Sequence, residues 1–433
     1  MIAFSRETLA NGLDVIVHED HAVPLVAVNV WYHVGSKNEV PGRTGLAHLF
    51  EHLMFKGSAH QPRGYFEPVQ AAGGTLNGST NADRTNYWEV VPASAARLAL
   101  WMEADRMGWL VPALSEERFE TEREVVLNER RESYENRPYG LASFAVLDAL
   151  YPAGHPYHTP TIGAPEDLRA ATVDDARAFF QRYYHPRNAS LVIAGDISTA
   201  DAIRLATELF GEIPAGPEVA PVTPSRATAR ARRLVLEDQI ALPRLYLSWP
   251  AAALFGPGDA ELDLVADLIG NGRTSRLYRR LVHDERIATE LVATQASREL
   301  GGFFQVVGTA APGHTLAEID DAIRSALIDF QSGGPTEDEV TRGRVQAEAA
   351  FVHRLQMLGG FGGKADQLNA YNVYCGTPAY FDEDLNRYLR ADSEALRKAA
   401  IEFLDPERAL ALSVVPKGSA DLALPGSEPA EIA

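Results

Sequence analysis

The sequence predicts an α+β protein made of two homologous domains that a linker joins. At 433 residues the chain is too long for one ordinary hydrophobic core, so two or more domains are expected. Strand and helix patterns are mixed rather than strictly alternating, which favours mainly antiparallel sheets packed with helices. Residues 213–233 hold four prolines and an arginine cluster without apolar periodicity, which is typical of an interdomain linker.

The two halves of the chain resemble each other in the order of their elements. In the first half, the strand-like run VPLVAVNVWYHVGS at 23–36 precedes a helical stretch that contains HLFEH. In the second half, LPRLYLSWPAA at 242–252 precedes the helical stretch DAELDLVADLIGNG at a similar distance. Each half ends in an apolar strand, NASLVIAGDI or RALALSVVP. We interpret this as a weak duplication of about 200 residues per copy, with domains at 1–212 and 234–433.

Composition excludes several classes of function. A net charge of -19 argues against nucleic acid as a partner, because the phosphate backbone requires a basic surface. No apolar run reaches the roughly 18 residues that a membrane span needs. The first residues lack a basic segment followed by an apolar core, so the sequence as given predicts a cytoplasmic protein. A periplasmic location is expected instead if a leader has been removed.

The segment HLFEH at 48–52 carries the strongest chemical signal. At roughly 100° per residue, one face of a helix here is apolar and consists of Leu46, Leu49, Phe50 and Leu53. The opposite face carries His48, Glu51 and His52. Two histidines four apart can share one metal ion, and neutral imidazole is a common zinc ligand. Glu51 is angled away from them and suits a base that takes a proton from water. The alternative is an ordinary solvated helix face.

A catalytic zinc site needs a third protein ligand. The helix predicted for 115–136, with Ser115 as its N-cap, could supply one. Its acids Glu122 and Glu129 are seven apart and share one stripe of the helix. The apolar members of that stripe are Phe119, Val125 and Val126. An acid on a packed stripe needs a partner, which can be a metal ion or an arginine, so the residues alone leave both acids as candidates.

H-x-x-E-H with a further glutamate 77 residues after the second histidine resembles the pitrilysin family of metallopeptidases, the inverzincins. LANGLDVIV, GGTLNGSTNADRTNYWEVVP and RYYHPRNASLVIAGDIS also match family segments, and the length resembles the short-chain branch of the mitochondrial processing peptidase beta subunit. The resemblance implies repeated α/β-roll domains of the LuxS/metallohydrolase-like fold. It further implies one zinc ion per chain, with His48, His52 and Glu129 as ligands, Glu51 as base and Glu122 as a supporting catalytic acid.

The resemblance also implies where a peptide substrate binds. TLNGST at 75–80 and TNYWEVVP at 85–92 are predicted strands. Family members add the substrate as a further strand at the position that matches Asn77. Gly78 stands where most members have alanine, which predicts a roomier pocket. The alternative for Asn77 is a turn residue before a glycine.

One family feature is missing from the second half. Active members carry there an arginine and a tyrosine seven apart, which hold the substrate carbonyl. Laying SRLYRRL on the family's counterpart places Val282 and Thr289 at these positions, and neither side chain offers a cationic fork or a phenol. The resemblance therefore implies a heterodimer with a homologous subunit that lacks zinc but supplies the pair, with a homodimer as second choice.

These observations together predict a zinc-dependent endopeptidase. Its substrates would be peptides or unfolded polypeptides held in a closed chamber, and the chain would be the catalytic subunit of a two-subunit enzyme. The alternatives are a non-catalytic core subunit and a polymer-binding subunit. Such core subunits lose ligands, whereas this sequence keeps all three implied ligands and the base.

Overall fold

The computed structural model of the protein describes residues 2–224, 227 and 231–432. Within these residues the strands form two six-stranded sheets packed with helices. The predicted α+β class with two mainly antiparallel sheets is therefore confirmed. The predicted linker at 213–233 lies partly outside the described residues, at 225, 226 and 228–230.

The first sheet contains the strands β1 (Ser5–Thr8), β2 (Asp14–Glu19), β3 (Leu25–Tyr32), β4 (Thr75–Thr80), β5 (Thr85–Pro92) and β6 (Ala189–Gly195). Their spatial order is β1-β2-β6-β3-β5-β4, and only β2 and β6 run parallel. The two strands predicted at 75–80 and 85–92 are confirmed with the same bounds. Because β4 pairs with β5 alone, it is an edge strand.

The second sheet contains the strands β7 (Arg232–Asp238), β8 (Arg244–Pro250), β9 (Ala288–Ala296), β10 (Phe303–Ala310), β11 (Leu410–Pro416) and β12 (Glu428–Pro429). Their order is β12-β7-β11-β8-β10-β9, with β7 parallel to β11 and β12. The run β7-β11-β8-β10-β9 repeats the run β2-β6-β3-β5-β4 of the first sheet in order and direction. This repetition supports the predicted internal duplication.

The helices lie between the strands along the chain. They are α1 (Leu46–Phe55), α2 (Phe66–Ala71), α3 (Ala96–Trp109), α4 (Glu116–Arg130), α5 (Ala142–Leu150), α6 (Pro165–Ala170), α7 (Val173–Tyr183), α8 (Thr199–Phe210), α9 (Asp259–Ile269), α10 (Leu316–Gly333), α11 (Glu337–Gln356), α12 (Lys364–Cys375), α13 (Phe381–Arg390) and α14 (Ser393–Phe403). In the described part of the chain, none of the helices combines the length and the apolar character that crossing a membrane requires.

The chain folds into two compact units that exchange segments. The first unit consists of Met1–Glu129, Pro160–Val222 and Phe351–Glu383, and the second of Arg130–Thr159, Thr223–Ala350 and Asp384–Ala433. The predicted domains 1–212 and 234–433 follow chain order, so the units depart from them at 130–159 and 351–383. In the first unit α12 packs on β3 and β6, and in the second unit α5 packs on β8 and β11. Each sheet is thus covered by a helix from the other half of the sequence.

A buried charge network lies under the end of α1. Arg106 of α3 is fully buried and donates hydrogen bonds to Glu89 of β5 at 2.8 Å and to Glu103 at 2.9 Å. Its guanidinium carbon lies 4.1 Å from the ring centre of Tyr87 and 5.6 Å from that of Phe55. Burial and the neighbouring Glu103 carboxylate raise the pKa of Glu89 well above its ordinary value. The side chain of Arg106 therefore contacts residues of α1, α3 and β5.

Replacing Arg106 by leucine should destabilise the first unit by about 3–5 kcal/mol, because it leaves two buried carboxyl groups without their cation. Urea denaturation measures the change. Arg97→Leu is the matched control: Arg97 also pairs with a glutamate, Glu208, but both side chains are exposed, so the midpoint should stay close to wild type. Equal effects of the two substitutions would contradict a structural role for the buried network.

Candidate metal centre

The start of α1 is stabilised by the half-buried side chain of Glu39. Glu39 accepts hydrogen bonds from the backbone N–H groups of Gly45 at 2.9 Å and Ala47 at 2.7 Å, which leaves fewer unpaired donors at the helix end. Burial raises the pKa of Glu39 to about 8. Gly45 has a φ of 89°, and a Cβ there would lie 2.8 Å from Leu168, so glycine is required. These contacts therefore favour a helix that starts at Leu46.

The two predicted faces of α1 are confirmed. The buried face consists of Leu46, Leu49, Phe50 and Leu53. Phe50 packs against Phe179 with ring centres 5.9 Å apart, and its carbonyl accepts a hydrogen bond from the Tyr87 hydroxyl at 3.2 Å. The opposite face carries His48, Glu51 and His52, which are half-buried.

Helix α4 buries one face and exposes the other along its whole length. Ser115 accepts a hydrogen bond from the Arg118 N–H at 3.2 Å and caps the helix as predicted. Phe119 and Val126 of the predicted stripe are fully buried, but Val125 is 39% exposed, so that part of the prediction is wrong. The reason is helical geometry: at roughly 100° per residue, Val125 lies beyond Glu129 at the outer edge of the stripe.

Two helices bring the three predicted ligands together. His48, His52 and Glu129 offer ligand atoms that all lie within 4.8 Å of one another. Glu129 Oε2 lies 3.2 Å from His52 Nε2 and 3.8 Å from His48 Nε2. The two imidazole rings are 4.9 Å apart and nearly perpendicular, at 79°. Two imidazole nitrogens and a carboxylate oxygen that converge in this way form a donor set that suits zinc.

The charge states of these groups also suit a metal ion. Burial lowers the pKa of His48 to about 4, so its imidazole is neutral at neutral pH. The hydrogen bond with His52 lowers the pKa of Glu129, which keeps its carboxylate ionised. Metal ligands must be deprotonated before they bind, and His48 and Glu129 already have the charge states that a metal ion requires.

Two further acids, Glu51 and Glu122, lie near His52. Burial raises the pKa of Glu51, although the nearby Thr80 hydroxyl and the charges of His52 and Arg84 act in the opposite direction. One oxygen of the buried Glu122 lies 3.2 Å from Lys56 Nζ. Its other oxygen lies 3.9 Å from His52 Nδ1 and has no hydrogen-bond partner among the described residues.

Sequence reasoning missed three residues near the site, namely Lys56, Thr80 and Arg84. Lys56 follows His52 by four residues, so helical spacing could have identified it. Nothing in the local pattern places the other two, because they reach Glu51 only through the pairing of β4 with β5.

Asn77 and Gly78 lie in the middle of the edge strand, so Asn77 is not a turn residue. Beyond the strands, the N–H of Asn81 bonds to the carbonyl of Arg84 at 3.0 Å. Bonded and non-bonded pairs alternate in an antiparallel ladder, so Gly78 turns its N–H away from β5. That N–H donates instead to the Asn77 side-chain oxygen at 2.8 Å.

The roomier pocket predicted at Gly78 is wrong. Successive strand residues point to opposite faces, and position 78 points inward, towards α1. A Cβ on Gly78 would lie 2.9 Å from Tyr87 and 3.0 Å from Phe55. The glycine therefore permits close packing of β4 on the core and opens no space.

In the second unit, the two positions laid on the family's arginine and tyrosine have other roles. Val282 is partly buried and packs against the core. Thr289 lies at the start of β9, and its hydroxyl donates to the Thr309 carbonyl at 3.4 Å. The nearby Arg280 pairs with Glu285 at 2.7 Å.

Comparison with known proteins assigns the family. A model described as insulinase (peptidase family M16) matches residues 14–157, and one described as peptidase M16 inactive domain matches 170–346. The zinc protease PqqE of Helicobacter pylori is 30% identical over 357 residues, which cover 81% of this chain and 79% of that protein. The chain belongs to the M16 peptidase family. The predicted resemblance to the pitrilysin family is thereby confirmed.

Two further relatives of this M16 member extend the comparison. A crystal structure of a protease from Helicobacter pylori has a TM-score of 0.89 at 26% identity and covers 96% of this chain and 100% of that one. A protein of Arabidopsis thaliana named as a probable mitochondrial-processing peptidase subunit beta is 25% identical, over 80% of this chain and 66% of its own length.

Gly78→Ala should destabilise the first unit by about 1–3 kcal/mol, because the added methyl group overpacks the contact with Tyr87 and Phe55. Thermal denaturation measures the change. Gly333→Ala, near the end of α10, is the control, since a Cβ there meets nothing within 4 Å. A Gly78→Ala protein as stable as wild type would show that β4 has room to move.

Proposed function

We propose that this M16 protein is a zinc-dependent endopeptidase that hydrolyses peptides or unfolded polypeptides. The observation that carries the proposal is the convergence of His48, His52 and Glu129 beside the carboxylate of Glu51. These three ligands would hold one zinc ion per chain. When bound, zinc supplies a Lewis acid that polarises the scissile carbonyl and makes water acidic enough to react near neutral pH.

Glu51 is proposed as the general base. It takes a proton from the attacking water and returns it to the leaving amine. Burial raises its pKa, which makes the carboxylate a stronger base. Glu122 is proposed to support catalysis by facing the Nδ1 side of His52, which restricts the orientation of that ring.

The edge strand β4 is proposed as the peptide-binding element. A peptide in extended conformation would add to the sheet beside β4 and continue its ladder. The N–H of Gly78 points away from β5, towards the position of the added strand, and donates a hydrogen bond to the exposed side chain of Asn77. Both residues would exchange that internal bond for bonds to the substrate backbone.

A homologous partner subunit is proposed to complete the site. Val282 and Thr289 cannot hold a substrate carbonyl as an arginine and a tyrosine would. The Arabidopsis relative is itself named as a subunit, which favours a heterodimer with a closed chamber over a homodimer. The compartment proposed is the cytoplasm, or the periplasm if the chain is made with a leader.

A non-catalytic core subunit or a polymer-binding subunit are the other candidate functions. The complete ligand set and the adjacent Glu51 favour a peptidase, because a binding role needs neither. Hydrolysis of a fluorogenic peptide that depends on zinc, measured with and without a chelator, separates the peptidase from both alternatives.

His52→Ala should abolish zinc binding, since it removes the ligand closest to Glu129. Metal analysis of the purified protein should give one zinc ion per chain for wild type and none for the variant. His21→Ala is the control, because His21 is an exposed histidine that pairs with Asp196 outside the cluster. Full zinc occupancy in His52→Ala would place the metal elsewhere.

Glu51→Gln should keep zinc but lower the rate of hydrolysis by about 100- to 10,000-fold, because an amide cannot accept the proton of water. Glu124→Gln removes an exposed acid of α4 instead and should leave the rate unchanged. If Glu51→Gln retained more than a tenth of the wild-type rate, another group would be the base.

The isolated chain should bind zinc yet cleave peptides at least about 100-fold more slowly than the complete enzyme, because the groups that hold the carbonyl are missing. Adding the homologous subunit should restore the rate, and light scattering should show one copy of each subunit. Full activity of the isolated chain would contradict the heterodimer.

A further inference from the structure

Asp366 of α12 makes an unusual set of contacts on the first sheet. Its Oδ1 accepts hydrogen bonds from Trp31 Nε1 at 2.8 Å, Asn86 Nδ2 at 3.1 Å and Asn29 Nδ2 at 3.4 Å. Its Oδ2 accepts one from the N–H of Gly362 at 2.8 Å. In the described part of the chain no basic side chain pairs with it. Neutral donors alone satisfy the carboxylate, and bonds to a charged acceptor are stronger than neutral ones.

These contacts extend to the edge strand. Asn86 is fully buried on β5, and its side-chain oxygen accepts a hydrogen bond from the Ser79 hydroxyl of β4 at 2.8 Å. Arg84 donates to the carbonyl of Ser79 at 2.7 Å, and its guanidinium lies 5.1 Å from the ring centre of Trp31. The contacts close a ring through Asp366, Asn86, Ser79, Arg84 and Trp31, which we call the Asp366 ring.

The Asp366 ring fixes the end of β4 that contacts Glu51. Ser79 faces α12, so the next residue, Thr80, points to the opposite face of the sheet. On that face the Thr80 hydroxyl and the charge of Arg84 both act on the Glu51 carboxylate and lower its pKa against the effect of burial. An edge strand has a neighbour on one side only, so side-chain contacts of this kind decide how firmly it is held.

Other polar contacts of α12 reach the interior of the sheet. Asn372 donates to Asp14 of β2 at 3.1 Å and to Ser190 of β6 at 3.0 Å. These strands have neighbours on both sides, so their positions depend little on one side chain. Replacing Asn372 is therefore a control: it disturbs the packing of α12 on the sheet but not the contacts that Asp366 makes near the edge strand.

We propose that Asp366 is a positioning residue of the peptidase site, which holds β4 in register for the peptide and Thr80 against Glu51. The proposal rests on the proposed function. The structural part of the proposal, that Asp366 holds β4, can be tested without measuring enzyme activity.

Amide hydrogen exchange of the full chain tests that half. Asp366→Ala should speed exchange of residues 75–80 by at least about tenfold, whereas Asn372→Ala should leave them unchanged. Asp366→Asn keeps an acceptor oxygen and should give an intermediate rate, which also provides a measurement if the alanine variant does not fold. Equal exchange of 75–80 in the Asp366 and Asn372 variants would overturn the proposal.

Kinetics of the zinc-loaded enzyme, with its partner subunit where needed, test the other half. Asp366→Ala should lower kcat/KM about tenfold at unchanged zinc content, and Asp366→Asn should recover part of the loss. Ser79→Ala should add little to Asp366→Ala but its full effect to Asn372→Ala, because only Asp366 acts through Ser79. Independent effects of Asp366 and Ser79 would overturn the proposal.

Absence of hydrolysis by the wild-type enzyme would contradict the proposed function instead, and the exchange measurement would still decide the role of Asp366.

Discussion

The packing of the apolar face of α1 against the first sheet is the constraint on which the candidate site depends. Leu49, Phe50 and Leu53 are fully buried, and each contributes about 1.5–3 kcal/mol by leaving water. Rotation of the helix by one residue, roughly 100°, would expose part of this face and turn the histidines away from α4. Glu39 also stabilises the start of the helix, because it accepts hydrogen bonds from two N–H groups there. The direction of the ligands is thus a consequence of core packing.

Burial also sets the chemistry of the polar face. It lowers the pKa of His48, which favours a neutral imidazole, and raises the pKa of Glu51, which favours a stronger base. The same physical effect therefore prepares a ligand and a base in opposite ways, because one is a cation and the other an anion when charged. Half-burial is essential here: full exposure would remove both shifts, and full burial would exclude the substrate.

Local periodicity could predict much of the fold and of the site. The two faces of α1, the Ser115 cap and the bounds of β4 and β5 all follow from patterns within about ten residues. Predictions failed at the edges of such patterns, at Val125 and Gly78, where one residue of offset decides between core and solvent. The residues alone did not choose between Glu122 and Glu129, since both lie on one stripe. Only the resemblance to a family separated them, and the structure brings Glu129 to both histidines.

Contacts between distant segments could not be predicted at all. Asp366 lies 280 residues from Asn86 and 335 from Trp31, and no local pattern specifies which sheet a helix will cover. These contacts are distant in sequence because α12, from the second half of the chain, packs on the first sheet, just as α5, from the first half, packs on the second sheet. Trp31, Asn29 and Asn86 are buried in the first unit under a helix that the second half of the sequence supplies. Without that helix, buried polar groups of β3 and β5 would lose their partners, and each unsatisfied group costs about 1–3 kcal/mol. A duplicated chain in which each sheet needs a helix from the other copy cannot discard either copy, even though, among the described residues, only the first sheet's unit holds a cluster that could bind a metal ion.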